Sequence, residues 1–185
     1  MNLSKIGLWT WAALAWGAGS AAGQLSPASS GPIEEIKTGA LVHDMPGFIS
    51  GHQREHGVDL NLELIFSPSV NLLSGTLRPA LGGTANFEGY TSQVYAYGRW
   101  ERDFASGFFT ATGVGGSWNN GELRLISYSH KALGSYLLFH LPFEFGWWIS
   151  PRASLSLYYD HMSNAYLAHD NEGLDTLGVR YGIRL

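Results

Sequence analysis

The chain has 185 residues, 45% of them apolar and only 14% charged, with 24 glycines, 14% aromatic residues and a formal net charge of −4. That is length for one domain, charge well under the roughly 25% of a soluble domain, and no basic footprint for nucleic acid. Cysteine is absent, which excludes a disulfide framework and thiolate metal sites.

The chain opens with Lys5, an apolar run IGLWTWAALAWGA, and small residues through Gly19, Ser20, Ala21 and Ala22. A positive charge, a short apolar stretch and a small-residue end make a secretory signal peptide over residues 1–22. The run is short for a bilayer span, so a cleaved leader is favoured over a retained anchor. Residues 23–32 are rich in Ser, Pro and Gly and read as a flexible linker. The fold is then expected in residues 33–185.

Eight strand-like segments follow. The first covers about 35–43, after a solvated acidic pair, Glu34–Glu35. In the second, about 55–66, Val58, Leu60, Leu62, Leu64 and Phe66 alternate with Asp59, Asn61 and Glu63. Such period-two alternation marks a strand with one apolar and one polar face. The third is about 76–87 and the fourth about 92–103, where Tyr95 and Tyr97 fit either face. The fifth is 108–118; its GVGGSW run has no following Lys and is a strand rather than a phosphate loop. A long polar connection leads to the sixth, about 133–147, which carries Pro142, an awkward residue for a paired strand.

The last 34 residues, from Arg152, hold the seventh and eighth strands. Ala153, Leu155, Leu157 and Tyr159 share one face, and Ser154, Ser156 and Asp160 the other. Leu177, Val179, Tyr181, Ile183 and Leu185 alternate with Thr176, Gly178, Arg180, Gly182 and Arg184. Carrying the parity forward puts His161, Ser163 and Asp175 on the apolar faces.

Eight strands of about ten residues with alternating faces fit an all-β, eight-stranded antiparallel transmembrane β-barrel. In a β-sandwich Glu63, Arg99, Glu144 and Arg180 would face water; in a barrel they can pair in the lumen. The leader favours the barrel, with Trp100, Trp118, Trp147, Trp148, Tyr158 and Tyr159 as interfacial girdles. If both termini are periplasmic, the connection between the last two strands is extracellular, and His161, Ser163 and Asp175 meet at the outer rim.

That set can make a nucleophile. A serine hydroxyl needs a base, histidine serves near neutral pH, and a carboxylate on the far ring nitrogen fixes the tautomer. Asn164 beside the serine could donate to an oxyanion. His-x-Ser alone is a common tripeptide, and three polar residues of a headgroup zone are the plainer reading.

HMSNA at 161–165, the Asn171–Glu172–Gly173 run, Asp175 and GVRYG at 178–182 resemble the C-terminal signature of the outer-membrane lipid A 3-O-deacylase (PagL-type) family. The resemblance implies an eight-stranded outer-membrane barrel that hydrolyses an ester-linked acyl chain of lipid A without cofactor or metal. By position it implies His161 as base, Ser163 as nucleophile, Asn164 as oxyanion-hole residue, and Asn171 and Gly173 as support. Asp175 stands where the best-known members have glutamate, and Tyr166 where they tend to have glycine. The implied partners are lipopolysaccharide and outer-membrane lipid; whether two copies pair as a homodimer is left open.

Elsewhere, His52 and His56 have a spacing that suits zinc on a helix, but they lie in a glycine-flanked connection and read as solvated. His43–Asp44 reads as rim hydrogen bonding, and His169–Asp170 is given no role. Two functions of different class therefore stand: a lipid A esterase, and a catalytically silent barrel that stabilises the membrane or binds a partner.

Overall fold

The structure is a computed structural model that describes residues 31–46 and 48–185; the leader and most of the linker expected from the sequence lie outside these residues. Among the described residues nine strands run in order: β1 (Ile33–Val42), β2 (Val58–Phe66), β3 (Val70–Leu72), β4 (Gly75–Asn86), β5 (Gln93–Asp103), β6 (Phe108–Asn119), β7 (Leu137–Trp148), β8 (Ala153–Ser163) and β9 (Leu174–Arg184). Every pairing between strands is antiparallel, β1 pairs with β9, and β2 pairs with β4. The sheet thus closes into an eight-stranded barrel, with β3 a short hairpin extension on β4. Closure removes the free edges that would otherwise leave backbone groups unsatisfied in lipid.

The alternation seen in the sequence becomes an inside and an outside. Val58, Leu60 and Leu62 are more than half exposed, whereas Asp59, Asn61 and Glu63 between them are buried. This inversion is what a lipid-facing barrel requires. Tyr95 and Tyr97 face inward, and each hydroxyl donates to Glu63 Oε2 at 3.1 Å. The lumen is filled by paired charges. Arg180 reaches Glu63 at 3.0 Å and Glu144 at 2.7 Å, and Arg99 reaches Glu144 at 2.6 Å. Lys37 lies 3.1 Å from Glu35 and 3.3 Å from Glu144. Four residues expected to pair in the lumen do so, because removing one partner would leave a buried charge uncompensated.

Three sequence expectations change. Glu34 and Glu35 are not a solvated pair: both belong to β1 and are buried, and the pairing with β2 shifts register between Ile33 and Glu35. A bulge of this kind lets neighbouring residues turn away from solvent together. Tyr158 is no girdle residue. It faces inward with Ser154, Ser156 and Asp160, and Arg180 lies 3.7 Å from its ring centroid. The segment at 133–136 belongs to the long connection, since β7 begins at Leu137, and Leu133 is buried there.

Pro142 is accommodated without a slip. β6 and β7 pair through Thr112↔Phe143, lapse, and resume at Gly115↔His140 in the same register. The missing N–H costs local pairing only. Gly113 and Gly115 make room for Tyr97: a Cβ at Gly113 would lie 2.5 Å from its ring, and one at Gly115 2.4 Å from its Cβ.

Connections at 67–74 (which carries β3), 104–107 and 149–152 close one rim; those at 43–57, 87–92, 120–136 and 164–173 stand at the other, and the three longest, 43–57, 120–136 and 164–173, are all at this rim. Leu133, Leu138, Met162 and Leu174 form an apolar plug inside the long-loop rim. That plug underlies the site.

Candidate active site

His161, Ser163 and Asp175 are brought together at the long-loop rim. His161 and Ser163 share the outward face of β8 at two-residue spacing, and His161 pairs directly across the ladder with Asp175. Their inward neighbours Met162 and Leu174 are also a cross-strand pair and sit in the plug. Each polar residue therefore stands on backbone held by ladder bonds and packed from behind.

The contacts run in one line. Asp175 Oδ1 is 2.6 Å from His161 Nδ1, and His161 Nε2 is 3.0 Å from Ser163 Oγ. A carboxylate only accepts, so Nδ1 donates, which leaves Nε2 to accept from the serine hydroxyl. Asp175 is fully buried, His161 nearly so, and Ser163 half-buried. Ser163 Oγ is thus the accessible end of the line.

The first loop supplies something that no motif announced. The backbone N–H groups of Ile49 and Ser50 donate to Asp175 Oδ2 at 2.8 and 3.0 Å, and Met45 N–H donates to the Asp175 carbonyl at 2.7 Å. Both carboxylate oxygens are committed, so the shorter acid at this position is fitted and not loose. Backbone donors have no side-chain signature, and they lie more than a hundred residues away in sequence; no spacing rule could have found them.

The fourth loop is built differently from its expected role. Asn164 Nδ2 donates to the carbonyls of Leu133 at 2.8 Å and Asp170 at 2.6 Å, and its backbone N–H donates to Asn171 Oδ1 at 2.9 Å. Its donors are spent on holding the loop, so in this geometry the oxyanion reading of the Asn164 carboxamide does not carry over. Asn171 is the matching acceptor. Gly173 has φ of 63°, and a Cβ there would lie 3.2 Å from His161 Cε1. It lets the loop return close against the imidazole. Ala165 and Tyr166 are also left-handed, with φ of 52° and 62°.

Glu172 ties three loops. It accepts from Arg54 Nε at 2.7 Å and from the N–H of Ala132 at 2.8 Å. Burial acts to raise its carboxyl, but the Ala132 and Arg54 donors hold it below the ordinary range. Further inside, His43 contacts Asp59 at 2.7 Å and Glu55 at 2.8 Å, and Lys131 contacts Asp44 at 3.1 Å. His52 and His56 are 69% and 61% exposed, as solvated loop residues, and His169 projects into solvent. Asp160, the other acid near the histidine in sequence, points into the lumen toward Gln93 and His140.

Beside the serine an apolar groove of about 350 Å³ is lined by Gly115, Gly116, Leu137, Leu138, Phe139 and Leu167, with Asn164 and Ser135 at its polar side. Phe139 is the direct cross-strand partner of Ser163.

No curated protein matches the chain by sequence. The crystal structure of the outer membrane enzyme PagL is similar, with a TM-score of 0.61 at 20% identity, covering 80% of this chain and 99% of that one. Neisserial surface protein A (NspA) is similar too, with a TM-score of 0.51 at 11% identity over 82% of this chain and 96% of that one. At such identities the likeness speaks for the barrel fold. The family model described as lipid A 3-O-deacylase (PagL) matches residues 94–184, a span that holds β5 but for its first residue, β6 through β9, and the whole His161–Ser163–Asp175 line. Over residues 94–184 the chain is thus similar to the lipid A 3-O-deacylase (PagL) family.

Proposed function

We propose that this protein is an outer-membrane serine esterase that removes the ester-linked 3-hydroxyacyl chain of lipid A, with Ser163 as nucleophile, His161 as general base and Asp175 as the carboxylate that orients it. The observation that carries this reading is the unbroken line Asp175 Oδ1–His161 Nδ1 and His161 Nε2–Ser163 Oγ on the lipid-facing wall. Long loops mark the extracellular rim of such barrels, so the line lies at the level of the outer leaflet, where lipid A resides. The neighbouring groove is the natural seat for the acyl chain: it is apolar, begins beside the serine and opens toward lipid.

The chemistry follows from the contacts. Ser163 Oγ attacks the acyl carbonyl carbon as its proton passes to His161 Nε2. Asp175 stabilises the imidazolium through Nδ1. Collapse of the tetrahedral intermediate breaks the ester bond; the departing lipid A oxygen takes the proton from His161. Water then attacks the acyl-Ser163 ester and gives its proton to the same nitrogen; the acyl–Oγ bond breaks, Ser163 Oγ takes that proton back from His161, and the 3-hydroxy fatty acid leaves. Developing negative charge on the carbonyl oxygen needs donors. Asn171 Nδ2 and the N–H groups of Ala165 and Tyr166 have no acceptor among the described residues; Ala165 and Tyr166 follow the serine by two and three residues, and Asn171 is tied through its Oδ1 to Asn164 beside it. They fit that task better than the committed amide of Asn164.

A silent barrel would have no use for a carboxylate whose two oxygens are both committed in support of one imidazole, and that alternative is not favoured. The test is lipid A mass spectrometry with matched barrel yields. Ser163→Ala and His161→Asn should each cut release of hydroxyacyl chains by at least ~10³-fold, with heat-modifiable migration unchanged and no response to chelators. Release at the wild-type rate from the serine variant would rule out the covalent mechanism.

A further inference from the structure

Among the outward residues beside the serine, one is missing a side chain for no reason the fold supplies. Ser163 pairs with Phe139, and Phe139 pairs with Gly116, so the three stand abreast on neighbouring strands. Two strand spacings put Gly116 ~10 Å from the serine along the wall. Phe139 and Gly116 both line the groove.

The two adjacent glycines of β6 differ in what requires them. At Gly115 a Cβ would lie 2.1 Å from the Ala96 carbonyl and 2.4 Å from the Tyr97 side chain, so barrel packing dictates glycine. At Gly116 a Cβ would meet nothing nearer than the Leu138 carbonyl at 3.8 Å and Leu137 Cδ1 at 3.9 Å. Gly116 does not have the positive φ that favours glycine. Glycine inside a strand weakens it relative to a β-branched residue. An outward strand position with room for a side chain, and without one, is explained by something else that takes the space. The groove is apolar, so the occupant is apolar.

We infer that Gly116 is a specificity-determining position that sets how long an acyl chain the enzyme accepts. The inference rests on the esterase reading above, in which the groove seats the chain being removed. A water takes ~30 Å³ of liquid and a methylene is of similar size, so 350 Å³ has room for a chain of roughly ten methylenes. The chain leaves the acyl carbonyl at Ser163, passes Phe139 and crosses the bare backbone at Gly116. A side chain there meets the distal carbons and spares the proximal ones.

The experiment uses the purified mature barrel in detergent with two lipid A preparations that differ only in the length of the 3-hydroxyacyl chain. Release rates for the long and short chains are measured for wild type, Gly116→Leu, Gly116→Ala and Val114→Leu. Val114 is exposed on the same strand but outside the groove. In Gly116→Leu the long-to-short rate ratio should fall roughly tenfold or more, the effect of a few misplaced methylenes in an apolar pocket, with short-chain release retained. Gly116→Ala should shift the ratio in the same direction by less, and it carries the test if the leucine variant yields no barrel. Val114→Leu should leave the ratio as in wild type. An unchanged ratio in active Gly116 variants, parallel loss on both chains, or an equal shift in Val114→Leu would overturn the role of Gly116 and leave the esterase reading standing. A wild-type barrel that releases neither chain would remove both.

Discussion

Two histidines at the same rim, His43 and His161, are each held by carboxylates, and only one of them can act as a base. His161 has a carboxylate on Nδ1 and a hydroxyl on Nε2. The hydroxyl can donate, so the ring is satisfied while neutral and keeps an accepting nitrogen. His43 has Asp59 on Nδ1 and Glu55 on Nε2. Both partners only accept, so both ring nitrogens must donate and the ring is held as imidazolium. Burial pushes His43 toward the neutral form, but the bonds and charges of Asp59 and Glu55 outweigh it and raise the ring to about 9. A histidine beside an acid is therefore not a catalytic sign by itself. What sits on the second nitrogen decides.

The sharpest way to break this contrast is to remove the acid from each ring. Asp175→Asn should lower the deacylation rate by about 10⁴-fold, as when a triad carboxylate is replaced and the wrong tautomer is favoured. Asp59→Asn should leave the rate per folded barrel unchanged and lower only stability. Asp175→Glu should fall between wild type and Asp175→Asn. Asp175 already meets His161 on one oxygen and the Ile49 and Ser50 N–H groups on the other, and an added methylene displaces one set or the other. Rates measured side by side at matched barrel yield decide the point. Indifference to Asp175→Asn would take this residue out of the mechanism.

The His43 arm has a pH signature of fixed sign. Its folded value of about 9 lies above its ordinary 6.5. The stabilisation is therefore complete below pH 6.5 and is lost as pH rises through about 9. The amount at stake is on the order of 3 kcal/mol. Glu55, held below its ordinary carboxyl value against burial by His43, Lys131 and Thr91, contributes in the opposite window and loses its part as pH falls. The temperature at which the folded gel band converts should drop between neutral and strongly alkaline pH in wild type, and much less in His43→Asn. Equal slopes in the two proteins would deny His43 its charge.

The smallest effect concerns the two loops that carry these residues. Asp44 beside His43 is left-handed with φ of 48°, and its side chain accepts from the N–H groups of Arg54 and Glu55. Aspartate tolerates that conformation. Tyr166 is left-handed too, but its side chain is 84% exposed. Tyr166→Gly should relieve about 1 kcal/mol of backbone strain and leave the rate unaltered or slightly higher. Denaturant or thermal conversion of the gel band reads it, and a loss of stability would mean that the exposed ring makes contacts of its own.

What the sequence determined by itself was periodicity and parity. Alternation in β2, β8 and β9 follows from the two-residue repeat of a strand, so the facing of Leu155, Leu157, Val179 and Arg180, and of His161, Ser163 and Asp175, was legible from order alone. Parity also placed Tyr158 inward, against its use as a girdle residue, because aromatic type says less about facing than position does. The tertiary structure decided whatever depends on contacts distant along the chain. It turned Glu34 and Glu35 inward through a bulge, spent Asn164 on the Leu133 and Asp170 carbonyls, and brought Ile49 and Ser50 onto Asp175. It also separated Gly115, which packing demands, from Gly116, which it does not. A one-dimensional pattern records which way a side chain points; which atoms it meets is set by closure of the sheet and the loops folded over its rim.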